Sequence, residues 1–109
     1  MIAEWSGFLS AAVAKIECIR MLECLQEHPV TKVLNCNKKV TGHYAGAIDW
    51  VGKVWFSELQ KAGLKYFAWV YSPEFYTQVG TDEVISFNDS VSVETFYSFE
   101  NAYQWLLTK

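Results

Sequence analysis

Asp49 to Tyr71 reads DWVGKVWFSELQKAGLKYFAWVY, and this stretch decides the fold. Its first part has the spacing of the back half of an amphipathic helix. At about 100° per residue, Tyr44, Ile48, Val51, Trp55, Leu59 and Ala62 share one narrow sector, with Asp49, Lys53 and Gln60 opposite. Ala62-Gly63 then marks a turn, because glycine is favoured where a helix closes in left-handed conformation. Tyr66 to Val70, YFAWV, is apolar without alternation, which suits a central strand covered by helices on both faces. Two large residues do not fit the helix sector: Trp50 lies well away from it, and Phe56 sits at its border or beyond. Either neighbouring elements of the chain cover them, or both anchor a homo-oligomer contact, where aromatic side chains concentrate.

Upstream, the helix starts near His43 or Tyr44, and Asn35 to Gly42 (NCNKKVTG) reads as a polar loop leaving a short strand at Val30 to Leu34. Pro29 stops an earlier helix that runs from its N-cap, Ser10, to about Gln26 or His28. Val13, Ile16, Ile19 and Leu22 to Leu25 set its helical period, with Lys15, Glu17, Glu23 and Glu27 on the wetter side. Ile2 to Trp5 reads as the end of a strand and Ser6-Gly7 as a turn. Either that strand is short, or strand sequence is missing upstream.

Downstream, Ser72-Pro73-Glu74 has the order of a helix start, with N-cap, proline at the first position and an early acid. That helix reaches Val79; Gly80 interrupts it, and a second short turn runs to about Phe87. Asn88 to Ser90 is a loop, Val91 to Phe96 an edge or half-buried strand, and Ser98 caps a last helix to about Leu107. The order βαβαβαβα predicts an α/β fold in one domain, residues 1–109, with a four-stranded mainly parallel sheet and covering helices.

Composition narrows the function classes. Of 109 residues, 51% are hydrophobic and 19% charged, a globular balance with enough chain for a core of its own. The net charge of −3 speaks against nucleic acid, which needs clustered basic residues, and only Lys38-Lys39 are adjacent. No apolar run approaches the roughly 18 residues of a membrane span. Cys18, Cys24 and Cys36 form no CxxC pair and read as free thiols of a cytoplasmic protein. No basic segment followed by an apolar run marks a secretory signal. Aromatic residues at 17% exceed what a small interior needs, so some belong at a contact surface.

EWSGFLS before the first helix, TKVLNCNKK, WVGKVWF…AGLKYFAWVYSPEFY at the centre and FYSFENAYQWL at the end resemble the SpoIIAA-like/STAS-type family of small bacterial proteins. The resemblance covers most of the chain and implies a SpoIIAA-like fold. It also implies a non-enzymatic interaction or regulatory role, with a protein partner or a second copy of the chain bound through helix faces. In relatives that antagonise anti-sigma factors, a Ser or Thr at a helix N-terminus is phosphorylated. The corresponding loop, Asn35 to His43, holds one hydroxyl, Thr41, without the Asp-Ser context, and Thr41 also reads as a helix-entry residue. Lipid-binding relatives of the wider fold imply an alternative: a small apolar or amphipathic ligand held between sheet and helices by Trp55, Phe67, Trp69 and Tyr71.

Read as residues alone, Asn35, Asn37, Lys38 and Thr41 leave the carboxyl end of a parallel strand, where open α/β sheets bind ligands. The plainer alternative has the Asn side chains satisfying turn backbone and the Lys in water. Cys36, His43 and Asp49 could form a nucleophile with its base or a metal site, but His43 and Asp49 lack the helical i,i+3 or i,i+4 spacing. His28 suits a helix C-terminus. Asp82, Glu83, Glu94 and Glu100 read as surface charge. No catalytic residue, metal or cofactor is expected.

Overall fold

The computed structural model describes residues 1–42 and 44–109. Its strands are β1 (Ile2–Phe8), β2 (Lys32–Thr41), β3 (Tyr66–Val70) and β4 (Ser92–Phe96). They alternate with α1 (Ala11–Glu27), α2 (45–61), α3 (Phe75–Phe87) and α4 (Phe99–Leu107). The sheet order is β1-β2-β3-β4 and every pairing is parallel, as the alternating pattern predicts. α1, α2 and α3 cover one face, on which Val33, Val40, Phe67 and Trp69 meet Leu25, Trp55, Leu59 and Val84. α4 covers the other, where Ala102 and Leu106 pack on Leu34, Cys36, Ala68 and Val70. YFAWV is therefore a central strand buried on both sides. No helix among the described residues is long and apolar enough to cross a membrane.

α2 explains why Phe56 defeats a simple helical period. It opens as a tight 3₁₀ turn at Ala45–Ala47 and contains a wide turn at Val51–Trp55. There the Phe56 N–H bonds the Val51 carbonyl five residues back, not four. The extra residue in that turn rotates the following turn, so Trp55 and Phe56 both face inward. Phe56, expected at a contact surface, is 0% exposed and packs edge-on against Trp55 and Phe67. Trp50, expected beside it, is half-buried against the same core. The wide turn also carries Gly52. A Cβ there would lie 2.6 Å from Phe87 Cβ and 2.7 Å from the Val84 carbonyl oxygen, so α2 and α3 cross on bare backbone. The helix closes as its sequence predicts. Gly63 has φ +109° and bonds Gln60, and Leu64 bonds Leu59 and is buried behind it.

Four expectations need correction. β1 continues through Phe8 without a turn at Ser6-Gly7, because Ser6, Gly7 and Phe8 pair with Lys39, Val40 and Thr41. β2 runs ten residues, so Asn35 to Thr41 is strand and not loop; β1 on one side and β3 on the other take up its main chain. α1 buries Ala14, Cys18, Met21 and Leu25 and leaves Val13, Ile16 and Ile19 outward. Close approach favours its small residues over its most hydrophobic ones: a Cβ on Gly46 of α2 would sit 3.3 Å from Ala11. α3 passes unbroken through Gly80 and starts at Phe75. Ser72 does not cap it: its hydroxyl donates to the Val40 carbonyl at 2.7 Å and accepts from the Glu74 N–H at 3.2 Å, ahead of the first helical turn. The Ser10 and Ser98 caps stand where expected, accepting from the main-chain N–H groups of Val13 and Asn101.

Candidate functional site

The sheet face under α1 and α2 carries polar side chains at its centre, where a core strand would ordinarily be apolar. Plain alternation along β2 puts Asn35 and Asn37 on the same face as Val33, and a bulge follows them. Glu4 pairs with Cys36 but Ser6 pairs with Lys39, so Asn37 and Lys38 together stand opposite Trp5. Asn35 lies in register with Trp69 on β3. Trp5, Asn35, Asn37 and Trp69 thus form a row across three strands. α1 adds Ala14 and Cys18 above it, α2 adds Val51 and Trp55, and Leu9 and Tyr44 close the ends.

These side chains enclose a cavity of about 30 Å³. That is room for roughly one or two waters. The half-buried Trp5 forms its outer wall, and no charged side chain lines it. Several of the polar groups around it are engaged. The Trp5 indole N–H donates to Asn35 Oδ1 at 2.5 Å, and Asn35 Nδ2 donates to Asn37 Oδ1 at 3.2 Å. Trp55 Nε1 donates to the Cys18 carbonyl at 2.7 Å, and the Tyr44 hydroxyl shares a 2.9 Å bond with Thr81. Trp69 is not among them. It is 5% exposed, and its Nε1 is the one buried side-chain nitrogen or oxygen among the described residues without a partner. Leaving a buried donor unmet costs about 1–3 kcal/mol.

The site is electrically neutral. Burial, with a smaller push from the Glu17 carboxylate, raises the Cys18 thiol to about 12. Burial also raises the Tyr44 phenol to about 12, against the opposing hydrogen bond from Thr81. Both therefore stay protonated near neutral pH. A thiol held this firmly is a poor nucleophile.

The structure brings Asn35, Asn37 and Trp69 together and leaves the other expected ligand residues elsewhere. Lys38 and Thr41 are exposed on β2, with Thr41 as the last strand residue and not a helix entry. Tyr71 lies at the carboxyl edge of the sheet and donates to Asp82 Oδ1 at 2.5 Å; burial, then that hydrogen bond, raises its pKa. Trp55 lines the cavity as expected, whereas Phe67 packs within the aromatic core. Cys36 is buried on the opposite face beneath α4. His43 lies outside the described residues. Among the described residues no group of three His, Cys, Asp or Glu side chains could hold a metal ion. Trp5, Cys18 and Tyr44 are lining residues that the sequence reading missed. For Trp5 the signal was present, since Ala3 and Trp5 alternate with Ile2, Glu4 and Ser6.

A second feature lies at the carboxyl ends of the strands. Phe8 and Tyr97 are each 69% exposed, Phe75 is 71% and Tyr76 75%. The backbone beneath them is held firmly. Thr77 Oγ1 donates to the Gly42 carbonyl at 2.8 Å, and Gly42 N–H donates to Glu74 Oε1 at 2.9 Å. Comparison of the chain with protein-family models, with curated proteins and with solved structures finds no match.

Proposed function

We propose that this chain is a non-enzymatic, cytoplasmic binding module of STAS type whose ligand site is the tryptophan-lined cavity. The ligand is small, neutral and mainly apolar, with one hydrogen-bond acceptor that reaches the Trp69 indole N–H. The observation that carries this reading is the unmet indole donor of Trp69, a residue that lines the cavity. Apolar walls with one or two fixed polar groups are the usual make-up of a small-molecule site. The absence of charged lining residues argues for a neutral ligand, because an unpaired ion would carry a large desolvation penalty there.

Titration with small ketones and alcohols, followed through the indole N–H signals in a ¹⁵N correlation spectrum, tests the reading. The Trp69 signal is expected to move while that of Trp105, in α4 on the other face, stays fixed. Trp69→Phe should abolish the response and keep the fold. A Trp69 signal that no probe moves, with contact to water alone, would sink the proposal.

A second reading, in which the module binds a protein partner, is favoured by Phe8, Phe75, Tyr76 and Tyr97 around the carboxyl edge. Exposed aromatic clusters of this kind are enriched at contact centres. Phe75→Ser with Tyr76→Ser should release the chain from any complex it forms in its own cells while leaving its stability unchanged. If the complex keeps its size, the partner lies elsewhere.

A further inference from the structure

β1 is an edge strand with a free side. It pairs only with β2, and Met1 and Leu9 spend their main-chain groups there: Leu34 N–H donates to Met1 O and Leu9 N–H to Thr41 O, both at 2.9 Å. In a parallel ladder, alternate residues turn to alternate sides. Ile2, Glu4, Ser6 and Phe8 therefore present their N–H and C=O groups to the open edge. Long exposed edges are ordinarily covered, bent or charged. This one carries a single charge, Glu4, between the exposed apolar side chains of Ile2 and Phe8.

Above the edge runs an open groove of about 540 Å³ between β1 and the outer side of α1, walled by Ala3, Trp5, Val13, Glu17, Arg20 and Cys24 among others. A strand added beside β1 would place its inward side chains in this groove. Val13, which the core does not use, is exposed along it.

We infer that a second copy of this chain occupies the edge, its β1 running antiparallel to the first about a twofold axis at Trp5. The sequence of β1 selects that occupant and that register. Centred on Trp5, Ile2 meets Phe8 of the other copy and Glu4 meets Ser6, so apolar faces apolar and the acid faces a hydroxyl. Centred one residue earlier, Glu4 would face Glu4. α1 has the same symmetry. Glu17 and Arg20, paired within one helix at 3.2 Å, straddle a point half a residue from its midpoint, Ile19. A twofold there sets each Glu17 across from an Arg20 of the other copy. At about 3.3 Å per strand residue and 1.5 Å per helix residue, the α1 midpoint falls near the level of Trp5, so one axis serves both elements. The result is an isologous dimer with one continuous eight-stranded sheet. This inference does not rest on the ligand reading.

Sedimentation equilibrium tests it with a charge swap. Wild type should be a dimer at high micromolar concentration. Ser6→Glu faces two carboxylates with two others across the edge and should weaken the dimer by about tenfold or more. Position 6 is exposed, so the variant keeps its circular dichroism spectrum. Glu4→Lys combined with Ser6→Glu should restore the dimer. A monomeric wild type, a dimer indifferent to Ser6→Glu, or a double variant that stays dissociated would each overturn the proposal.

Discussion

The indole N–H of Trp55 donates a 2.7 Å hydrogen bond to the main-chain carbonyl of Cys18, joining α2 to α1 across the top of the cavity. Trp69 faces the same space from the sheet with an indole N–H that meets nothing. Two buried tryptophans of similar exposure therefore differ in what their nitrogen contributes. Replacing each by Phe removes similar volume, but only Trp55→Phe discards a made bond. Trp55→Phe should cost about 1–3 kcal/mol more than Trp69→Phe in urea denaturation without ligand. Equal losses would mean that the Trp69 donor is satisfied in solution.

The crossing of α2 and α3 makes a second prediction, with its own control. Gly52→Ala must force apart backbone that a Cβ would meet at 2.6–2.7 Å, and should destabilise by about 1–3 kcal/mol despite alanine's better helix propensity. Gly80→Ala meets nothing nearer than 3.8 Å and should stabilise by up to about 1 kcal/mol. Opposite signs in thermal denaturation are expected.

Phe56 sits in the densest part of the aromatic core, in edge contact with Trp55 and Phe67 at ring separations of 5.1 Å. Phe56→Ala should cost about 3–5 kcal/mol and leave the oligomeric state of whatever folds unchanged. An effect confined to oligomerisation, with stability intact, would return Phe56 to the surface.

Alkaline pH should weaken the fold. Cys18 and Tyr44 ordinarily ionise near 9.0 and 10.0, but burial raises both to about 12. The unfolded chain releases these protons first and binds fewer of them, so stability falls as pH rises above about 9 and goes on falling to about 12. Below about 9 both contributions are fully present. Tyr44→Phe removes one titrating group and should flatten the loss between pH 10 and 12 by about 1.4 kcal/mol per pH unit. A denaturation midpoint that stays level over this range would contradict the burial of both groups.

The sequence made the architecture legible where residue pattern and backbone geometry agree. YFAWV, Gly63 and the caps at Ser10 and Ser98 each carry a local physical reason that the fold leaves intact. Legibility failed where geometry departs from an ideal period. The wide turn at Val51–Trp55 moved Phe56 inward, and the bulge at Asn37-Lys38 kept β2 extended through residues that look like a loop. Both irregularities border the cavity. Of the ligand residues, Asn35, Asn37 and Trp69 were named from sequence for other reasons, and only the folded chain brings them together.

The strand order has a consequence for synthesis. Strands that stand side by side in the order they emerge from the ribosome let each βα unit dock on the one before it. Every residue lining the cavity lies between Trp5 and Trp69. The pocket's walls are therefore all translated before β4 and α4 exist.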